Sequence, residues 1–317
     1  MVVPRGPVLA LDSASLYYRS FYALPEKMTA PDGRPHNAIR GFLTTVARLV
    51  DLHSPETVVA CWDNDWRPAW RVDLIESYKS HRVADPDVAG SVPSPEAEPE
   101  SLGPQAEAIA DLLDALGIPR WGFDGYEADD VLGSVAAQEE RPVVVVSGDR
   151  DLVQLIDQTT SLQLTVNGGM EKWPVLDPAT AAERFGVPPG RYLDVAVLRG
   201  DPSDGLPGVA GIGAKTAVAL VTAFGDLDDV LAAAGRPSVE RPMTPRLAQA
   251  LIGNADLVRR ARTVTSVVRD LPLTGPVPAI PASPADPDRL AELAAQWGVG
   301  RQLVDLQASL RRQTDEE

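Results

Sequence analysis

Cysteine is almost missing from this sequence: Cys61 is the one example in 317 residues. That excludes an internal disulfide framework and a cysteine zinc site, and a lone cysteine in the run TVVACWD reads as a buried apolar residue. Histidine is nearly as scarce. His36, His53 and His81 fall at no metal-binding spacing and read as surface residues. Lysine occurs only four times (Lys27, Lys79, Lys172, Lys215) against 25 arginines. No apolar run approaches the roughly 18 residues of a membrane span. The N-terminal MVVPRGPVLALDSAS reads as a first strand rather than a signal peptide, since it holds one arginine and a short apolar patch. These absences lead to the expectation of a cytoplasmic protein with no membrane partner. There is also no internal repeat.

What is abundant is negative charge, and its placement is specific. The formal net charge is −16. Three apolar, β-rich runs close on aspartates: PVLALD on Asp12, TVVACWD on Asp63 and VVVVSGD on Asp149. Side by side in a parallel sheet, such runs bring their C-terminal ends to one edge, where open α/β folds place their sites. Glu127, Asp129, Asp130, Asp151, Asp201 and Asp204 stand at helix starts or tight turns nearby in the pattern. Each acid alone reads as a helix cap or a complement to a helix dipole. Glu127-x-Asp129-Asp130 and Asp149-x-Asp151 crowd like charges beyond what capping requires, and crowding of that kind calls for cations. Oxygen-only ligands suit Mg²⁺ or Mn²⁺. Two hard cations shared among carboxylates can hydrolyse a phosphodiester without a histidine or serine nucleophile. Setting the nine carboxylates aside leaves −7 (−16 + 9), so the global charge says little against a nucleic-acid partner.

Along the chain, residues 8–12, 57–62, 143–147 and 161–166 read as strands, with helical patterns near 36–52, 103–116, 127–139 and 149–157. This βαβ alternation predicts a three-layer α/β domain over residues 1–178 with a mainly parallel sheet. Residues 83–104, rich in Pro, Ser, Gly and acid, read as a mobile lid. From 179 to 317 helices are expected at 179–185, 190–199, 214–224, 226–234, 244–260, 287–296 and 300–313, forming a second, helical domain.

A glycine-rich turn, Gly208-Val-Ala-Gly211-Ile-Gly213-Ala-Lys215-Thr216, follows Leu206-Pro207 instead of a strand, so it is a poor Rossmann or P-loop match. It opens a helix, as a helix–hairpin–helix does when it offers backbone N–H groups and a helix N-terminus to a phosphate. Lys215 can reach the neighbouring phosphate, and Gly208, Gly211, Gly213 and Thr216 complete a hairpin at 207–217 that holds duplex backbone without reading bases. The carbonyls of such a hairpin can also hold a monovalent cation such as K⁺. A plain glycine-rich interhelical turn is the bland alternative. Tyr18 and Arg19, two helical turns past Asp12, suit base stacking and phosphate contact. Part of the patch Tyr17, Tyr18, Phe21, Tyr22 instead reads as core. Arg71, Lys79 and Arg82 in WRVDLIESYKSHR would project cations toward the lid if helical; without the acids nearby an ordinary solvated face would explain them equally well.

Lined up in order, LALDSASLYYRSFYALP, ACWDNDW with RVDLIESYKSHR, GYEADDVLGSVA, VVSGDRDLVQLI and LRGDPSDGLPGVAGIGAKTA run from residue 9 to about 225. Together they resemble the 5′ nuclease family of flap endonucleases and 5′–3′ exonucleases, which includes the N-terminal nuclease domain of bacterial DNA polymerase I. The resemblance implies a PIN-like, Rossmann-like three-layer domain followed by a helical DNA-binding domain, residues 179–317, with a helix–three-turn–helix. It implies two or three divalent ions, with Asp12, Asp63, Glu127, Asp129 and Asp149 around the catalytic metal and Asp151, Asp201, Asp204 and Asp130 serving the others. By the same resemblance Lys79 sits over the scissile phosphate, Arg82 steadies the 5′ side, Tyr18 stacks a base and Arg19 is an active-site arginine. The implied partners are DNA with a 5′ flap, overhang or duplex end and RNA–DNA hybrid, bound by a stand-alone, nucleoid-associated monomer acting in replication and repair. Three departures stand out: residues 83–104 are acidic and proline-rich where the family has a basic helical arch, Gly205 follows Asp204 where an asparagine is common, and no polymerase region follows. A PIN-type ribonuclease shares the acidic sheet edge but normally lacks the hairpin. A non-catalytic structure-specific DNA-binding protein would use the hairpin and leave the carboxylates unexplained.

Overall fold

A computed structural model describes residues 6–83 and 98–314. The three valine- and leucine-rich runs form β1 (Val8–Asp12), β2 (Thr57–Cys61) and β4 (Val143–Ser147), buried at every position. Strands covered on both faces need such uninterrupted apolar character. With β3 (Arg120–Trp121), β5 (Thr160–Leu164) and β6 (Val175–Leu176) they make one sheet in the order β3-β2-β1-β4-β5-β6. Every pairing is parallel except the antiparallel edge strand β6.

The two faces of the sheet carry alternating residues. Leu9, Leu11, Val58, Ala60, Val144 and Val146 pack against α2 (Asn37–His53) and α4 (Gly103–Leu116). Val8, Ala10, Val59, Cys61, Val143 and Val145 pack against α5 (Ala128–Gln138). The result is the expected three-layer arrangement, and Cys61 is buried as its sequence context implies. From β1 the chain builds outward through β2 and β3, then returns to β4 on the other flank of β1. That reversal opens a crevice at the C-terminal ends of β1 and β4, the switch point where such sheets bind ligands. Helix α1 (Ser13–Ala23) borders it through Ala14, Ser15 and Tyr18, and a short helix α3 (Ala69–Leu74) follows β2.

Beyond the sheet, α6 (Pro178–Phe185), α7 (Tyr192–Arg199), α8 (Ala214–Phe224), α9 (Leu227–Ala234), α10 (Pro245–Gly253) and α11 (Ala255–Thr265) follow. Helices α7 to α11 share a separate apolar core into which Ile75 and Tyr78 also insert.

Several expectations need correction. The stretch 244–260 is two helices, because Asn254 turns its side-chain amide onto the Ala250 carbonyl and competes with the backbone ladder. Residues 149–157 hold only a 3₁₀ turn at Asp151–Leu155. Asp149 caps the Asp151 N–H, and Asp157 takes the Thr159 and Thr160 N–H groups, so tight turns close the segment at both ends. The terminal helices α12 (Pro287–Trp297) and α13 (Gly300–Thr314), read from the sequence as part of the helical DNA-binding region, leave it altogether. Leu290, Leu293, Trp297, Leu303, Leu306 and Leu310 join the core under α2 and α4. His36 is not at the surface: it is buried, with Nδ1 2.5 Å from the Trp297 carbonyl, and half-buried His53 meets Gln163 at 2.9 Å. Most of the expected lid, residues 84–97, lies outside the described residues; at its flanks Val83 and Leu102 are buried. Among the described residues no helix is long and apolar enough to cross a membrane.

Candidate active site

The strand ends deliver their acids to the switch point. Asp12 closes β1 and caps α1, its Oδ1 accepting from the Ser15 N–H at 3.0 Å. Asp63 lies just past β2 and accepts from the Ala128 N–H at 2.7 Å, on the first turn of α5. Glu127 is the N-cap of α5, and Asp129 follows in its first turn. Asp149 lies just past β4. Asp12, Asp63, Glu127, Asp129 and Asp149 line one cavity of about 200 Å³ with Lys79, Arg82 and Tyr18. Asp149 and Arg82 also line an adjoining cavity of about 500 Å³, together with Asp201 and Asp204. Asp151, mostly buried, stands behind Asp149.

The cluster is electrostatically costly as it stands. Burial, reinforced by Asp63 and Asp149, pushes the Asp12 carboxyl up to about 7 against the hydrogen bonds from Ser147 and Ser15. Burial and then the neighbours Asp149, Asp12 and Glu127 hold Asp129 well above the usual carboxylate range. Asp149 is raised by burial and by Asp204, and Asp151 well raised by burial and by Asp149. Burial also raises Glu127, although Lys79 and Arg71 oppose it. Carboxylates that crowd to this degree fit divalent cations bound through oxygen, and the donor set contains no nitrogen or sulfur to favour zinc. Among the described residues no three acids already close around a single point. The hydrogen bonds to Asp12, Asp63 and Asp149 occupy only part of each carboxylate's accepting capacity.

Two of the expected site residues are withdrawn from it. Arg71 is buried and does not face nucleic acid: Nη1 and Nη2 grip both Asp130 oxygens at 2.9 and 2.8 Å, and Nε donates to the Val264 carbonyl. Asp130, fully buried, also accepts from the Val268 N–H and closes the capping box of α5 onto the Glu127 N–H. Its carboxylate is thereby committed to structure rather than to a metal. The WRVDLIESYKSHR segment is α-helical only over α3 and ends in a 3₁₀ turn at Ser80–Arg82, and Lys79 between them takes a left-handed backbone conformation (φ 48°).

The remaining cations are placed as follows. Lys79 Nζ bonds Glu127 Oε2 at 3.0 Å, and Tyr78, which sequence reasoning passed over, donates its hydroxyl to the same carboxylate. Arg82 pairs with Asp204 at 2.9 Å and donates to the Ser203 carbonyl. The segment 77–82 is thus buttoned to the 201–205 turn, with the Lys79 N–H on the Asp204 carbonyl. Gly205 has φ 67°, and a Cβ there would stand 2.1 Å from the Ser77 carbonyl, so the close approach of these two segments accounts for glycine at this position. Arg19 lines neither cavity. It donates to the Val166 and Gly168 carbonyls and lies 4.8 Å over the Trp173 ring.

In the glycine-rich turn, Gly211, Gly213 and Lys215 are exposed and Thr216 half-buried. Gly213 caps α8 without a side-chain hydrogen bond, which leaves the first-turn N–H groups for an outside acceptor. Gly208 serves a different end: its Cα packs on the Arg199–Gly200 backbone, where a Cβ would meet the Arg199 carbonyl at 2.1 Å.

A doubly flanked parallel sheet with an acidic switch point, followed by a helical unit with an exposed glycine turn, is the architecture of the flap endonuclease class. The first part of the chain, residues 7–186, matches the 5′-3′ exonuclease N-terminal resolvase-like domain, and residues 187–288 match the 5′-3′ exonuclease C-terminal SAM fold. The chain belongs to the 5′-3′ exonuclease family. It is 45% identical over 315 residues to a 5′-3′ exonuclease of Mycobacterium tuberculosis, covering 96% of this chain and 98% of that one. It is 33% identical over 297 residues to DNA polymerase I of Mycobacterium bovis, covering 91% of this chain and 30% of the polymerase. Its fold matches a bacteriophage T5 flap endonuclease, solved as a pseudo-enzyme–product complex with DNA and metal ions, with a TM-score of 0.65 at 17% identity over 98% of each chain.

Proposed function

We propose that this protein is a structure-specific 5′ nuclease that hydrolyses DNA phosphodiesters with Mg²⁺ or Mn²⁺, on 5′ flaps, overhangs and duplex ends and on RNA–DNA hybrid. The observation that carries this reading is the convergence of Asp12, Asp63, Glu127, Asp129 and Asp149 on one cavity that shares Asp149 and Arg82 with a second, where Asp201 and Asp204 lie. The shared wall supports two neighbouring ions, with Asp12, Asp63, Glu127, Asp129 and Asp149 holding one and Asp149, Asp151, Asp201 and Asp204 the other. Such ions, when bound, lower the pKa of a water and stabilise charge on the attacking and leaving oxygens.

The chain's own groups do the rest. Lys79 and Arg82 present cations at the mouth of the cavities, where a phosphodiester's charge arrives. Tyr18, on the wall of the first cavity, offers an aromatic face to a terminal base. The exposed turn at Gly211 and Gly213, with Lys215, holds duplex backbone away from the reacting bond, so the substrate is chosen by shape rather than sequence. The family's activity and the DNA complex of the fold neighbour support this reading.

The test uses a 5′-flapped duplex beside a blunt duplex, an RNA–DNA hybrid and single-stranded RNA. Cutting near the flap junction with Mg²⁺ or Mn²⁺, lost in EDTA and in Asp149→Asn, is the expected result. Undiminished cutting in EDTA overturns the metal mechanism. Preference for single-stranded RNA supports a PIN-type ribonuclease instead, and tight flap binding with no metal-dependent cutting a non-catalytic DNA-binding protein.

A further inference from the structure

We infer that Ser147 is a positioning residue of the nuclease centre: its hydroxyl joins the ends of β1 and β4 and holds the Asp12 carboxylate in the orientation from which it meets a divalent ion. The inference rests on the reading of Asp12 as a ligand.

In VVVVSGD, Ser147 is the one polar residue of an otherwise apolar strand, and it is fully buried. A buried hydroxyl needs partners, and this one has two. Its Oγ lies 2.5 Å from Asp12 Oδ2 and accepts the Asp149 N–H at 2.9 Å. An ionised carboxylate only accepts, so the hydroxyl proton points to Asp12 and the lone pair to Asp149. The other Asp12 oxygen is held by the Ser15 N–H, and the Ser15 hydroxyl accepts the Gly148 N–H at 2.9 Å. Two serines therefore cross-link the turn after β1 to the turn after β4, one through side chain to side chain and one through side chain to backbone. The register explains why Ser147 is the residue that does so: Leu11 pairs with Val146, which brings the next residues, Asp12 and Ser147, side by side at the switch point. With both of its oxygens tied, Asp12 loses the torsional freedom that would otherwise be frozen only on binding, and it offers its remaining lone pairs in a set direction. Outer groups of this kind govern the affinity of the ligands they orient.

Calorimetric titration of the full-length protein with Mn²⁺ alone, beside thermal unfolding and DNA-cleavage kinetics, tests the inference. Ser147→Ala, which removes one oxygen and adds no bulk, is expected to weaken Mn²⁺ binding by about tenfold or more. Its kcat should fall in parallel while KM for the flap stays within about twofold, since no DNA contact is removed. Combining it with Asp12→Asn should cost no more than Asp12→Asn alone, because the hydroxyl acts through that carboxylate. Ser15→Ala, which keeps the backbone bond to Asp12 and frees only Gly148, should show a smaller loss of about threefold. Should Ser147→Ala not fold, Ser147→Cys, which fills the same space but swaps the hydroxyl for a weak donor, decides. Mn²⁺ affinity within about 1.5-fold of wild type in whichever folded variant decides, or a full additive loss in the double variant, overturns the inference. Failure of the underlying reading has a different signature: Asp12→Asn itself leaves Mn²⁺ binding intact.

Discussion

Lys79 Nζ stands 3.0 Å from Glu127 Oε2, at the point where segment 77–82 meets the acidic mouth of the sheet. Burial works against the charge on this lysine, yet Glu127 and its neighbours hold its pKa well above the ordinary value. Lys79→Ala should lower kcat by about 10²–10³, the scale for loss of one preorganised charge partner. Glu127 keeps Tyr78 and Arg71, so the fold should survive. Single-turnover cleavage of a flap, with circular dichroism as control, reads both.

Arg71 should behave as a structural cation. Arg71→Met leaves Asp130 and Glu127 without their buried partner, and breaking such a pair costs about 3–5 kcal/mol. Urea unfolding should show that loss, and Arg71→Met with Asp130→Asn should regain part of it. At temperatures where the single variant remains folded, its affinity for duplex DNA should match wild type. A selective loss of DNA binding without loss of stability would restore the surface-cation reading.

The pH dependence of the metal-free protein follows from the raised acids. In the folded state burial and the neighbouring acids push the Asp12 carboxyl from its ordinary value of 3.8 up to about 7, so between those limits the native state binds more protons than the unfolded chain. Its contribution to stability is present below pH 3.8 and is lost as pH rises to about 7. Asp129, Asp149 and Asp151 are raised in the same sense. In EDTA the melting temperature should therefore fall between pH 5 and 7.5. Saturating Mg²⁺ should flatten or reverse that slope, because the ion binds the ionised form and releases protons.

At the hairpin, Lys215→Ala should weaken binding about equally across DNA sequences and reduce the slope of log K against log salt by about one. Fluorescence anisotropy on two unrelated duplexes over a range of salt measures this. A sequence-dependent loss would argue that the turn reads bases.

Much of the site was legible because its ligands sit where local signals are strongest. Asp12 and Asp149 close strands whose apolar runs declare themselves, and Glu127 and Asp129 open a helix. What escaped was the sorting of like residues. Asp129 and Asp130 are adjacent, yet one faces the cavity and the other is gripped by Arg71. Helical geometry rotates consecutive side chains by about 100°, and no sequence signal said which of them would face inward. The terminal helices were misplaced for a similar reason: their apolar faces fit any unpartnered surface, and connectivity alone suggested the nearer one.

The amino-acid sequence by itself determined the parallel strands, the acids at their ends and the glycine turn, because each depends on propensity and period within a few residues. Only the tertiary structure decided which charges serve chemistry and which serve the core. Arg71 meets Asp130 across 59 positions, and Ser147 meets Asp12 across 135. Those partnerships exist only because the sheet places β1 between β2 and β4. A buried charge or hydroxyl must then satisfy itself with whatever that packing brings within reach.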